Sequence, residues 1–209
     1  MRTAKKQRPA HSPELTAFCR QVRKRSLENG QALAVLHRNT LAGNVMAVLR
    51  QELDSMVRCI FLLSVSDRHY RNRLIADAVN GRQWRTPDGK GKITDRVMVE
   101  LSSELHGWTR NVYAFGCGFI HLSAFHDYPN KDPFDLLTPE QRNEIALYLR
   151  SYHGFAMNSV AKFRDIERVL PAVFDKISGN LECCVKALEE DSDLADLTGG
   201  RKMTINEEV

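Results

Sequence analysis

Leu41 to Leu63 reads LAGNVMAVLRQELDSMVRCIFLL. Within it Leu41, Val45, Val48, Leu49, Leu53, Met56, Val57, Ile60 and Leu63 recur at steps of three and four residues. That spacing brings side chains onto one face of an α-helix, and it predicts an apolar helix over about residues 32–65. A helix with so broad an apolar face must be covered by other helices or by a sheet. The rest of the chain decides which.

Upstream, Ser12-Pro13-Glu14 supplies a cap, a proline in the first turn and an acid near the positive end of the helix dipole. The helix that starts there is expected to stop at Asn29-Gly30. Downstream, Asp67 can cap a helix that ends at Asn80-Gly81. Arg82 to Ile93 (RQWRTPDGKGKI) is a turn-rich loop, a flap or short hairpin. Residues 95–127 read as a long helical segment interrupted by Gly107, Gly116 and Gly118, and so as two helices or one bent helix. Thr138-Pro139-Glu140-Gln141 is a capping box that opens a helix ending near His153-Gly154. Residues 156–190 form one or two more helices, divided at Pro171. No segment outside 82–93 alternates as a strand would. The expectation is an all-α fold: an antiparallel bundle of about seven helices with a small hairpin near 82–93.

The chain has 209 residues, 43% of them apolar and 27% charged. That is enough for one domain with a substantial core. The expected organisation is a disordered basic tail over 1–11, one bundle over 12–190 and a disordered acidic tail over 191–209. Net charge is +4, but it is unevenly spread. Residues 1–25 hold eight Lys/Arg against Glu14, while residues 189–209 hold seven acids against Arg201 and Lys202. A basic arm of that kind can hold phosphates. The longest apolar runs, such as Cys59 to Leu63, are too short to span a bilayer. The basic N-terminus has no apolar stretch after it, so no secretory signal is expected. The five cysteines show no C-x-x-C pairing and sit mostly in apolar helical patterns. They predict a reducing, cytoplasmic setting without disulfides or a zinc finger.

Three sets of polar residues are candidates for function. Along 95–127 read as one helix, His106, Arg110, Tyr113, Cys117 and His121 form a stripe opposite the apolar face. Such a stripe is either a site or a hydrogen-bonded seam between helices. Glu52 falls inside the apolar stripe of 32–65, where a carboxylate must be paired, protonated or lining a cavity. It is expected either to face the His106/Arg110 seam or to form a structural Glu–Arg or Glu–Tyr pair that fixes helix register. The third set is basic: Lys5, Lys6 and Arg8 in the tail, with Arg82, Arg85, Lys90 and Lys92 around Trp84, which can meet nucleic acid through charge and stacking. His121 and His126 are badly phased for a two-histidine metal site, and no E-x-x-H occurs. A metal activity would need His106, His121 and His153 to converge from different helices; otherwise no metal or cofactor is expected. The chain has no G-x-S-x-G, no dinucleotide fingerprint and no P-loop.

LRQELDSMVRCIFLL (Leu49 to Leu63), followed by SSELHGWTRNVY (Ser102 to Tyr113), resembles the helical core of uncharacterised bacterial domain families. These in turn are similar to the HEPN superfamily of helical bundles. Many HEPN proteins are RNases or RNA-binding partners in toxin–antitoxin and phage-defence systems. The resemblance covers about a third of the chain. It implies a bundle fold, RNA as a partner and a bacterial defence or stress setting. HEPN nucleases carry an Arg followed by a His after four to six residues, and this chain has no such pair. Ten residues separate Arg110 from His121.

The first expectation is a helical bundle that acts by association, as a homodimer, with its basic residues on nucleic acid or an acidic protein. The second is a HEPN-like metal-independent RNase, in which Arg110 stabilises phosphate charge, His106 or His121 is the acid/base and Tyr113 positions the substrate. The third is a metal-dependent activity of the three histidines.

Overall fold

The computed structural model describes residues 12–154 and 162–197. It is an α-helical bundle, and among these residues there is no sheet. The helices are α1 (Pro13–Arg38), α2 (Ala42–Ser64), α3 (Arg68–Val79), α4 (Asp95–Leu105), α5 (Thr109–Ile120), α6 (Pro139–His153), α7 (Phe163–Glu167), α8 (Leu170–Glu189) and α9 (Leu194–Leu197). No helix among the described residues is long and apolar enough to cross a membrane.

α2 is the centre, with α1, α4, α5 and α8 packed directly against it. From Leu53 to Leu63 almost every residue of α2 is buried, as expected of a helix surrounded on all sides. Each fully buried Leu, Ile, Met or Phe contributes about 1.5–3 kcal/mol. α1 runs antiparallel to α2: Asn29 meets Glu52, and Arg25 meets Asp54. α8 lies antiparallel to α1, since Gly30 faces Phe174 while Arg23 reaches Glu182 and Glu189.

Three boundaries differ from the sequence expectation. α1 does not stop at Asn29-Gly30. Asn29 is buried and donates to Glu52, and Gly30 packs against the Phe174 ring. Both residues therefore serve packing in mid-helix. The break comes at Asn39-Thr40, where Thr40 takes a left-handed φ of 57°. The 95–127 segment is two helices, one of the two readings its glycines allow, but the second stops at Ile120 and not at 127. α4 ends at Leu105, and His106 (φ −131°, ψ 85°) caps it. α5 then begins at Thr109, and a 3-10 turn follows at Ala124–Asp127. The third difference is at the acidic tail. Arg71 is buried and donates to Leu63 O, Val65 O, Ser192 O and Asp193 Oδ1. It satisfies carbonyls at the C-terminal end of α2, which carries no basic residue of its own there. It also ties down residues 191–193, and Leu194 is buried beyond them. Residues 191–197 are thus part of the bundle. The tail expected over 1–11, and the rest of the acidic tail, lie outside the described residues.

Other local expectations hold. Ser12 accepts from Leu15 N, Asp67 caps α3, and Thr138 and Gln141 form a capping box. Gly154 takes a left-handed conformation after α6, and Pro171 sits in the first turn of α8.

Candidate functional site

The 82–93 segment is a hairpin-like loop closed by one antiparallel bridge, Arg85 to Lys92, with Ile93 N bonded to Trp84 O. Trp84 anchors it. The indole is 3% exposed, lies on Phe61 and donates to Leu74 O at 2.8 Å. The stacking role on nucleic acid expected for Trp84 is therefore corrected: the ring is spent on holding the loop to the core. The charged residues are left outside, and Arg82, Arg85, Lys90 and Lys92 are all exposed. Arg73 adds a cation, donating to Thr86 O and Pro87 O of the loop.

Beneath this loop is a cleft of about 710 Å³. α1 contributes Gln21 and Arg25, α2 contributes Ser55 and Arg58, the loop contributes Arg82 and Gln83, and the start of α4 contributes Thr94 and Asp95. Three arginines from three elements thus converge on one opening. Arg58 donates to Asp54 (3.1 Å) and Asp95 (2.9 Å), Arg25 approaches Asp54 at 3.7 Å, and Arg82 bonds Asp77. Behind them Arg50 is buried. Its guanidinium lies 3.7 Å from the Tyr113 ring centroid, and its nearest carboxylates are Asp54 and Asp95, both at 3.8 Å. Arg50 Nε has no partner. Gly116 is needed here, because a methyl group at that position would come 3.1 Å from Arg50 Cβ.

No known protein family, curated protein or solved structure matches the chain.

The residues of the expected seam are dispersed. Glu52 is fully buried, and its carboxylate accepts from Ser26 Oγ (2.5 Å) and Asn29 Nδ2 (2.8 Å). It faces α1, not His106 and Arg110; the pairing is structural, as in the other expectation, but its partners are a serine and an asparagine instead of an arginine or tyrosine. Tyr113 lies under Arg50, and burial raises its pKa above the ordinary tyrosine value. Arg110 and His121 are exposed, and Cys117 is half-buried. His106 left the stripe when the helix broke. It stacks on Trp108, which stacks on Tyr148, whose hydroxyl is 3.1 Å from His153 Nε2. Burial first, and Lys176 second, lower the pKa of both histidines. His106 and His153 therefore share one aromatic cluster without His121. No group of three metal-ligating side chains occurs among the described residues.

The remaining features are packing. Burial pushes the Cys19 thiol up to about 11 and that of Cys184 to about 12, so both behave as small apolar groups. A more apolar groove of about 570 Å³ runs between α1 and α8 and includes the exposed Leu27. Lys5, Lys6 and Arg8 lie outside the described residues. The expectation missed Arg25, Arg50 and Arg58 as a group. Arg50 and Arg58 were visible in the sequence as arginines among the apolar positions of α2, but that Arg25 joins them depends on the register of α1.

Proposed function

We propose that this protein acts by association, binding the phosphate backbone of nucleic acid through the basic face formed by the 82–93 loop and the arginine cleft beneath it. One observation carries the reading. Arg25, Arg58 and Arg82 come from three separate elements to one cleft, and the loop that rises from its rim presents Arg85, Lys90 and Lys92 to solvent. The acids on this face, Asp54, Asp77, Asp88 and Asp95, are fewer than the basic groups around them. Arginine is suited to phosphate by its planar fork of donors, and exposed lysines add charge without fixing geometry. The resemblance to RNA-associated helical bundles points the same way. The dispersal of His106, Arg110, Tyr113, His121 and Glu52 favours association over a nuclease built from that set.

The test is a salt titration of RNA and DNA binding. The proteins compared are the full chain, a form lacking residues 1–12 and the variant Arg85→Glu/Lys90→Glu/Lys92→Glu. Each phosphate contact contributes about 0.7–0.9 to the slope of log K against log salt. The charge-reversed loop should lower that slope by roughly 2–3 and weaken binding to both nucleic acids. Binding that ignores salt and the loop reversal would refute the proposal.

A further inference from the structure

The cleft has a charge imbalance that its own carboxylates leave open. Arg25, Arg50 and Arg58 share only Asp54 and Asp95, while Arg82 is matched by Asp77. Arg50 has the weakest carboxylate pairing. Its side chain is 7% exposed, both of its carboxylate contacts lie at 3.8 Å, and its Nε has no partner among the described residues. Held against the Tyr113 ring behind the residues that line the cleft, it adds positive field there without being a ligand contact itself.

Asp95 is the contact most easily displaced. It is 43% exposed, it bridges Arg58 and Arg50, and it is the first residue of α4. Once released to solvent, its carboxylate stays near the positive end of that helix, where a negative charge is favoured. An incoming anion can therefore take over Arg58 and draw on Arg25 and Arg82 without leaving Asp95 stranded. A phosphate monoester suits this place better than a diester, because it carries about −1.5 to −2 charge at neutral pH where each diester carries −1.

The rest of the cleft has another character. Val22 and Ile93 line it with half-buried apolar surface, the buried Phe18 and Trp84 close it from behind, and Gln21 and Gln83 add amides. A volume of about 710 Å³ lies in the range of pockets that hold a whole small ligand, not an ion alone. We infer that the cleft binds a nucleoside 5′-phosphate, with the phosphate on Arg25, Arg58 and Arg82 and the nucleoside against the apolar wall beside the two glutamines. The ligand is either a free mononucleotide or the phosphorylated 5′ end of a strand; the latter rests on the nucleic-acid reading above.

Calorimetric titration separates these cases. The probes are adenosine 5′-monophosphate, adenosine, and one short RNA carrying either a 5′-phosphate or a 5′-hydroxyl. The monophosphate should bind and adenosine should not. Arg25→Ala/Arg82→Ala should weaken the monophosphate at least tenfold. The two side chains are 40% and 62% exposed, so the fold survives their loss, as circular dichroism will show. Arg58→Lys keeps the charge but loses the fork and should also weaken binding. Asp95→Asn removes the competing carboxylate and should tighten it several-fold. A preference for the 5′-phosphorylated RNA identifies the strand end as the source. Monophosphate binding without any RNA binding keeps this inference and overturns the nucleic-acid reading. Salt-dependent RNA binding that ignores the 5′ group, with no monophosphate binding, does the reverse. Equal binding of adenosine and its monophosphate, or monophosphate binding unaffected by Arg25→Ala/Arg82→Ala, overturns the inference.

Discussion

Truncating Glu52 to alanine should destabilise the protein by about 2.5–5 kcal/mol, the sum of three contributions. Asn29, itself buried, loses the acceptor of its 2.8 Å bond. A stranded buried amide costs about 1–3 kcal/mol. Ser26 loses a 2.5 Å bond but is only half-buried, so water replaces part of it and the cost is about 0.5–1 kcal/mol. The void left by the carboxyethyl group is on the order of 50 Å³, which adds about 1 kcal/mol if the helices do not collapse into it. In a chain of this size the sum lowers the melting temperature by roughly 10 °C.

The decisive measurement is a double-mutant cycle with Asn29→Ala, read by urea unfolding and circular dichroism. Asn29→Ala alone should cost about 1–3 kcal/mol, and the double variant should cost less than the two singles together, with a coupling of about 1–2 kcal/mol. Glu52→Gln should cost only about 1 kcal/mol. Its carbonyl can accept from Asn29 while its amide donates to a rotated Ser26 hydroxyl. A coupling within about 0.5 kcal/mol of zero, or a glutamine variant as unstable as the alanine one, would refute the structural role argued for this carboxylate.

The remaining predictions concern α5 and the histidine cluster. A methyl group at Gly118 would overlap the Phe125 ring, so Gly118→Ala should destabilise by about 1–3 kcal/mol, with Phe125→Leu in the same chain recovering part of the loss; urea midpoints check both. His106 and His153 have pKa values lowered in the folded state, so the unfolded chain takes up protons first as pH falls. Their contribution is complete above the unfolded histidine value of about 6.5 and is lost as pH falls through the folded values. Melting temperatures measured from pH 8 to pH 5 should decline below about 6.5, and more gently in His106→Gln/His153→Gln; identical profiles would remove the two histidines as the cause.

The helical class was legible because α2 states its period without interruption, and the caps at Ser12, Asp67 and Thr138 each bond as their residue types dictate. The misplaced boundaries share a cause. Asn29-Gly30 and His106-Gly107 are both local stop signals, but tertiary contacts overrode the first and not the second. Glu52 and Phe174 hold Asn29 and Gly30 inside α1, and a partner across the bundle cannot be read from neighbours in sequence. Between Leu105 and Thr109, stacking of His106 and Trp108 in the Tyr148 cluster goes with a change of direction between helices. A stripe laid out at 100° per residue across that point mixes residues that face different ways. The exposed cations of the 82–93 loop were legible from composition. The cleft beneath it was not, because it needs Arg25 of α1 beside Arg58 of α2, and that depends on register.

Register is where the buried acid and the arginine cleft meet. A charged group inside a helix as buried as α2 generally costs stability relative to an apolar residue of the same shape, yet α2 carries Arg50, Glu52, Asp54 and Arg58 within nine positions. Glu52 lies about 200° around the helix from Arg50 and from Asp54, so it grips α1 while they pair with each other and with Asp95 and Arg58 beside the cleft. Its two partners, Ser26 and Asn29, stand one and four residues after Arg25 on α1. A slide of α1 by one turn, about 5.4 Å, would break both bonds to Glu52 and would also carry Arg25 away from Asp54. Glu52 is therefore a positioning residue for the cleft, acting through α1 and touching no ligand. That role separates a conservative change of Glu52 from the loss of its two partners. Glu52→Gln keeps the register and should keep anion binding by the cleft. Asn29→Ala/Ser26→Ala leaves every arginine in place but loosens the register, and should weaken that binding while the protein remains folded.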